Sequence, residues 1–194
     1  MSYPRRSREG GFSFINLLVA IALSAIALSA ITTTFISQTH SYDVQEQVVE
    51  MQQNVRTAMD LITREVRMAG FNPTGAAFEG VQHHTDEIHI RADLSGNGDY
   101  SDQNEEIRYT YDGANQRIER DAGNGKETFV ENIQAFTLAY FDFDGNPTTT
   151  SADIHQLEIT ITARTPEADR NYPINGGYRT ASLTSLVTPR NLTY

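Results

Sequence analysis

The sequence predicts an α+β protein: a long N-terminal helix, membrane-apolar in its first half, packed through its second half on a C-terminal antiparallel β-sheet head. Three observations carry that prediction. Residues 12–36 contain no charged residue, no Pro and no Gly. Residues 48–69 carry a single apolar stripe at three- and four-residue spacing. From about Gly80 onward, apolar and polar residues alternate at period two between turns rich in Gly, Asp and Asn.

The first element follows a short basic leader. Arg5, Arg6 and Arg8 precede Gly10-Gly11, which runs straight into Phe12-Ser13-Phe14-Ile15-Asn16-Leu17-Leu18. An ordinary secretory signal is cut after its apolar region and is lost. Here the Gly-Phe junction comes before the apolar region, so a cut after Gly11 keeps the apolar helix as the new N-terminus. About 20 apolar residues are enough to cross a bilayer core. Small residues at Ala20, Ser24 and Ala27, and at Ala22, Ala25 and Ser29, recur at helical steps that let helix backbones approach closely. A plain membrane anchor and a helix that packs in a bundle both fit residues 12–36.

The amphipathic segment beyond residue 36 separates the two. Val48, Met51, Val55, Ala58, Ile62, Val66 and Ala69 form one helical stripe, and Glu46, Glu50, Asp60, Glu65, Arg56 and Arg64 fall off it. Arg64 and Arg67 lie in the last turns, where cations favour the carbonyl end of the helix dipole. Gly70-Phe71-Asn72-Pro73 ends the helix with a C-cap glycine and a nearby proline. A continuous helix from Phe12 to Ala69 would be ~87 Å long at ~1.5 Å per residue. Thr32-Thr33-Thr34 is its expected weak point, because three β-branched residues lower helix propensity and compete for backbone hydrogen bonds.

Strands are predicted at Ile88–Arg91, Ile107–Tyr111, Arg117–Arg120, Phe129–Ile133, Phe136–Phe143, Leu157–Arg164 and Arg179–Val187, with turns at Asp112-Gly113-Ala114-Asn115 and Asp144-Gly145-Asn146-Pro147. In the clearest of them, Leu157, Ile159, Ile161 and Ala163 point inward and Glu158, Thr160, Thr162 and Arg164 outward. The helical stripe supplies the cover that the inward faces need, which gives the α+β layer.

Composition excludes several functions. The 194 residues carry a net charge of −10. The leader contributes three Arg and one Glu, a net +2, so removing it leaves −12. Nucleic-acid binding needs clustered Lys and Arg, so no nucleic-acid partner is expected. There is no Cys, which removes disulfides, thiolate catalysis and thiolate metal sites together. No GxSxG, P-loop or Rossmann glycine pattern occurs, and the helix serines lie in apolar surroundings, so no enzyme activity is expected.

Two segments hold metal-type donors. Asp93, Ser95, Asn97, Asp99, Asp102, Glu105 and Glu106 set oxygen side chains among glycines, a composition suited to a hard cation such as Ca2+. The closing Glu is off the EF-hand register, since Asn104 occupies that place, and the flanks are strands. A calcium-bound β-β loop and a solvated acidic turn are the two alternatives. Asp142, Asp144 and Asn146 read as a turn. His83, His84 and His89 lie near one another, but strand alternation puts His83 and His89 on one face and His84 on the other, so exposed strand histidines are expected.

The leader junction resembles the class III signal of type IV pilins and type II secretion pseudopilins. Leu61-Ile62-Thr63-Arg64-Glu65-Val66-Arg67-Met68-Ala69-Gly70-Phe71 is similar to the helix end of PilW-like minor pilins and of the J-type minor pseudopilin. Arg117–Arg120 and Ile133–Asp142 are similar to their hairpin and following strand. The resemblance implies a pilin-like lollipop with a leader at 1–11, a transmembrane or filament-core half-helix at 12–36, an amphipathic half at 37–70 and a β-rich head at 71–194. It also implies cleavage between Gly11 and Phe12 by prepilin peptidase, N-methylation of Phe12, and a single pass through the bacterial inner membrane with the head outside the cytoplasm, before assembly at the cell surface. The implied partners are the membrane lipid, the pilus assembly platform, other minor pilins and the major pilin. The implied function is a minor pilin that initiates type IV pilus assembly at or near the tip. The J-type pseudopilin is the first alternative, and a membrane-anchored exported binding or sensor domain that does not polymerise is the second. One position departs from the family: Asn16 stands where the fifth mature residue is usually Glu. The family's carboxylate there pairs with a neighbouring subunit's N-terminal amine.

Overall fold

A computed structural model describes residues 13–192. Helix α1 runs over Phe14–Met68. The chain divides into two compact units after Gln45. In the first, every side chain from Ser13 to Asp43 is exposed, and the surface is mainly apolar as far as Ile36.

In the second unit, α1 packs on the head through the stripe read from the sequence. Met51, Val55, Ala58, Ile62, Val66 and Ala69 are buried, Val48 is partly buried, and Met59 and Thr63 widen the buried face. Gly70 ends the helix at φ +78°, a conformation that favours glycine. Its N–H donates to the Arg91 carbonyl at 2.8 Å, so the helix end is tied directly to the sheet.

The head holds two antiparallel sheets. The first orders β1 (Val81–Gln82), β2 (Glu87–Arg91), β3 (Glu106–Asp112), β4 (Arg117–Asp121) and β5 (Glu127–Glu131) consecutively. The second orders β6 (Ile133–Phe141), β7 (Gln156–Arg164) and β8 (Thr180–Val187). Each predicted strand has a counterpart, but Phe129–Ile133 is divided at Asn132, with Ile133 opening β6, and β6 ends at Phe141 rather than Phe143. Leu157, Ile159, Ile161 and Ala163 of β7 are all buried.

The division into two sheets was not legible in the sequence. It turns on Asn132, at φ +60°, between β5 and β6. Asn tolerates the left-handed region better than most residues, and the residue ends one pairing direction and begins another. Ile133 N–H donates to the Gln116 carbonyl at the start of β4 while Arg164 N–H donates to the Asn132 carbonyl from β7, at 2.7 and 2.9 Å. The break therefore serves as the seam of the two sheets.

In the first sheet, Ile88 and Ile90 of β2, Ile107 and Tyr109 of β3 and Ile118 of β4 are buried in the core. The polar positions between them form a charged ladder: Glu87 lies opposite Thr110, His89 opposite Arg108, and Arg91 opposite Glu106.

Candidate functional site

The Gly11–Phe12 junction lies outside the described residues. Asn16 is in the first turns of α1 and is exposed, and that first turn carries no acidic residue. Hydroxyls along the apolar half satisfy themselves. Ser24, Ser29, Thr32, Thr33 and Thr34 donate to the carbonyls four residues earlier, those of Ala20, Ala25, Leu28, Ser29 and Ala30, at 2.7–3.0 Å. Each such bond removes a donor that hydrocarbon would leave unmet. The threonine run keeps the helix, with all three hydroxyls used in this way.

The acidic loop after β2 is held by its own backbone. Asp93 is fully buried. Its Oδ1 accepts the N–H groups of Gly96 and Asn97 at 2.6 and 3.1 Å, and its Oδ2 accepts that of Gly98 at 3.0 Å and the Thr74 hydroxyl at 3.2 Å. Glu105, also buried, accepts the N–H of Ser95 at 2.7 Å and that of Asp102 at 3.3 Å. Asn97 Oδ1 accepts the Asp99 N–H, Asp99 Oδ1 accepts both the N–H and the hydroxyl of Ser101, and Asn97 Nδ2 donates to Asp102. Hydrogen bonds from Ser101 hold the Asp99 carboxyl below its usual range. Asp99 and Asp102 remain exposed on the rim.

Glu106 is parted from the other six. As the first residue of β3 it turns to the opposite side from Glu105 and meets His89 Nε2 at 2.8 Å, Arg91 at 2.9 Å and Arg108 at 3.2 Å. Burial raises its pKa, but hydrogen bonds from His89 and Arg91 and the Arg108 charge outweigh that and hold it at about 2. Burial lowers the pKa of His89, against the Glu106 hydrogen bond, and Arg108 and Arg91 lower it further.

The structure corrects the histidine expectation. His84 and His89 come together, with ring centroids 5.6 Å apart, while His83 lies against the Tyr140 ring at 4.8 Å. β1 ends at Gln82, so strand alternation does not carry through residues 83–86, and the hairpin swings His84 back over β2. His89 is buried rather than exposed. Among the described residues, His84, Glu87 and His89 bring three ligand atoms within 4.8 Å of one another.

Sequence reasoning placed Glu65 off the apolar stripe and gave it no partner. It is half-buried, accepts the Tyr109 hydroxyl at 2.5 Å, and receives Arg120 through both carboxylate oxygens, at 2.8 and 3.3 Å. Its spacing of three from Ile62 puts it at the stripe's edge, the one sequence signal that could have shown it.

Residues 44–178, which take in most of the amphipathic half of α1 and the head through β7, match the family described as "Prepilin peptidase-dependent protein B". The chain belongs to that family. The prepilin peptidase-dependent protein B match makes it a pilin-like member of the pilin and pseudopilin superfamily, as the leader motif implied. The long apolar helix and antiparallel head are those of a pilin-like fold. A type IV-like pilin from Thermus thermophilus is similar in structure, at 12% identity and a TM-score of 0.46, over 73% of this chain and 98% of that one. No curated protein sequence matches the chain. The family's dependence on prepilin peptidase implies processing by that enzyme.

Proposed function

We propose that this chain is a PilW-like minor pilin of a type IV pilus. Prepilin peptidase cuts it after Gly11, Phe12 is methylated, and residues 12–36 hold it in the inner membrane with the head outside the cytoplasm. It then joins other minor pilins and the major pilin to initiate assembly at or near the tip.

The uncharged helical surface from Phe14 to Ile36 carries this reading, because all its large apolar side chains are exposed. Such a surface needs lipid or other apolar helices around it, and self-bonded hydroxyls suit it to both. Asn16 favours a terminal place. A subunit with no preceding N-terminal amine to neutralise needs no carboxylate there, and a buried unpaired charge costs several kcal/mol.

Deletion in the native host tests the assignment. Loss of surface pili with normal protein secretion supports the minor pilin; a secretion defect with normal piliation moves the chain to the J-type pseudopilins. Mass spectrometry of the exported protein is expected to find methylated Phe12 as the first residue. Recovery of an uncleaved chain in membranes and never in sheared filaments would favour an anchored binding domain instead. For Asn16, tip-confined immunogold labelling is expected to be lost in Asn16→Glu; unchanged labelling with normal piliation would detach position from this residue.

Calcium at the 93–106 loop stays a proposal of the same kind. Asp99 and Asp102 are its exposed donors, and calorimetric titration of the full chain with CaCl2 tests it.

A further inference from the structure

We propose that His84, Glu87 and His89 form a binding site for a borderline divalent transition-metal ion of the Zn2+ class. The site is distinct from the acidic loop in place and in chemistry. Two imidazoles and one carboxylate are a donor set that zinc accepts, with a further position left for water. Calcium and magnesium prefer all-oxygen surroundings, so the same set selects against them.

The hairpin and its neighbours pre-form this constellation. Glu87 and His89 are two residues apart on β2 and so share a face, and the 83–86 turn brings His84 onto that face. The turn is pinned from outside. Tyr140 of β6 donates its hydroxyl to the Glu87 carbonyl at 3.3 Å and accepts the His84 N–H at 3.5 Å. His83 N–H donates to the Ser151 hydroxyl at 3.0 Å, and Tyr111 N–H to the Asp86 carbonyl at 3.2 Å. The backbone positions of two ligands are thus fixed by one tyrosine from the other sheet.

Two of the three ligands also have the outer partners that metal sites use. A metal-binding His commonly holds a carboxylate through its other ring nitrogen, which fixes the ring and its tautomer. His89 meets Glu106 in this way through Nε2, which leaves Nδ1 for the ion. Arg91 and Arg108 hold Glu106 in turn, and Arg108 Nε stands 3.4 Å from the same His89 nitrogen, its charge offset by Glu106. Glu87 Oε2 accepts the Thr110 hydroxyl from the residue opposite on β3, at 3.0 Å.

Donors around a tetrahedral ion at ~2.0–2.2 Å stand roughly 3.4 Å apart. Side-chain rotation of His84 and Glu87, both only half-buried, closes the distance from the present 4.8 Å limit.

The test uses the full chain in detergent micelles, without a polyhistidine tag, stripped with chelator and titrated with ZnCl2 in a calorimeter at pH 7.5. One ion per chain is expected, with a Zn2+-dependent rise in thermal midpoint. His84→Ala and Glu87→Gln should each weaken binding at least tenfold and abolish the rise, while His83→Ala should change neither. Circular dichroism of His84→Ala, a substitution at a half-buried turn position, checks that the fold is kept. Absence of Zn2+ binding to the unaltered chain, or equal affinity in His84→Ala, would overturn the proposal.

Discussion

Tyr109 Oη lies 2.5 Å from Glu65 Oε2 and joins the centre of β3 to the last turns of α1. Tyr109 is fully buried, its ring meets Phe129 edge-on at 5.1 Å, and Arg120 closes on the same carboxylate from β4. A helix, two strands and three polar groups are thus tied at one point beneath the core. Hydrogen bonds to charged groups are worth about 1.5–3 kcal/mol. Tyr109→Phe should therefore lower the stability of the head by that amount while leaving Glu65 paired with Arg120. Glu65→Ala should cost more, because it strands a buried hydroxyl and a half-buried guanidinium together. Chemical denaturation of both variants measures this. A smaller loss for Glu65→Ala than for Tyr109→Phe would show that the carboxylate is not the hub.

The Asp93 carboxylate performs the same task for a loop. It gathers three backbone N–H groups and one hydroxyl into a fully buried acceptor. Asp93→Ala in chelator-containing buffer is expected to cost about 2–4 kcal/mol, since several charge-assisted bonds go at once. The amides of Gly96, Asn97 and Gly98 should lose protection from hydrogen exchange. Unchanged exchange at those three amides would mean that the loop's shape does not depend on Asp93.

These two carboxylates show where the sequence stopped being legible. Periodicity gave the stripe from Val48 to Ala69 and the alternation of β7, because burial of apolar residues is set by local spacing. It placed Asp93 and Glu105 in a cation-type loop on composition, yet their nearest partners are the loop's own N–H groups, and only the folded backbone decides what a carboxylate faces. The Glu65 network, the seam at Asn132 and the His84–His89 approach each join residues far apart in sequence or across a turn. Local spacing carries no signal for such contacts. The Gly11–Phe12 junction is the reverse case: it is plain in the sequence and lies outside the described residues.

Gly80 and Gly70 set how closely the chain before β1 can pass the end of α1. A methyl group on Gly80 would lie 2.3 Å from the Gly70 nitrogen and 2.5 Å from its Cα, contacts that backbone atoms cannot relieve by rotating. Arg91 N–H donates to the Gly80 carbonyl at 2.9 Å, and Gly70 N–H donates to the Arg91 carbonyl, so both glycines are bonded to one residue of β2. Gly80→Ala should cost about 3 kcal/mol or more, at the upper end for overpacking. The loss should appear as amide exchange at Gly70 and Arg91. Gly75→Ala is the control for strain alone, since Gly75 has positive φ with nothing within 4 Å of the added methyl, and it should cost about 1 kcal/mol. Equal losses for the two would remove the steric argument.

The same buried tyrosine makes an alkaline prediction with a definite sign. Burial, and then the neighbouring Glu65 carboxylate, push the Tyr109 pKa well above its ordinary value of 10.0. In the unfolded chain the phenol ionises near that value, whereas the folded chain keeps it protonated. Stability from this group is therefore complete below pH 10 and falls as pH rises from there toward the folded value, by about 1.4 kcal/mol per pH unit. Tyr109→Phe has no proton to lose at this position. The stability gap between the unaltered chain and Tyr109→Phe should narrow at that rate above pH 10, and ultraviolet titration should show one phenol ionising only with unfolding. A gap that stays constant from pH 8 to 11.5 would place the Tyr109 hydroxyl in contact with water and break the link it makes between β3 and the helix.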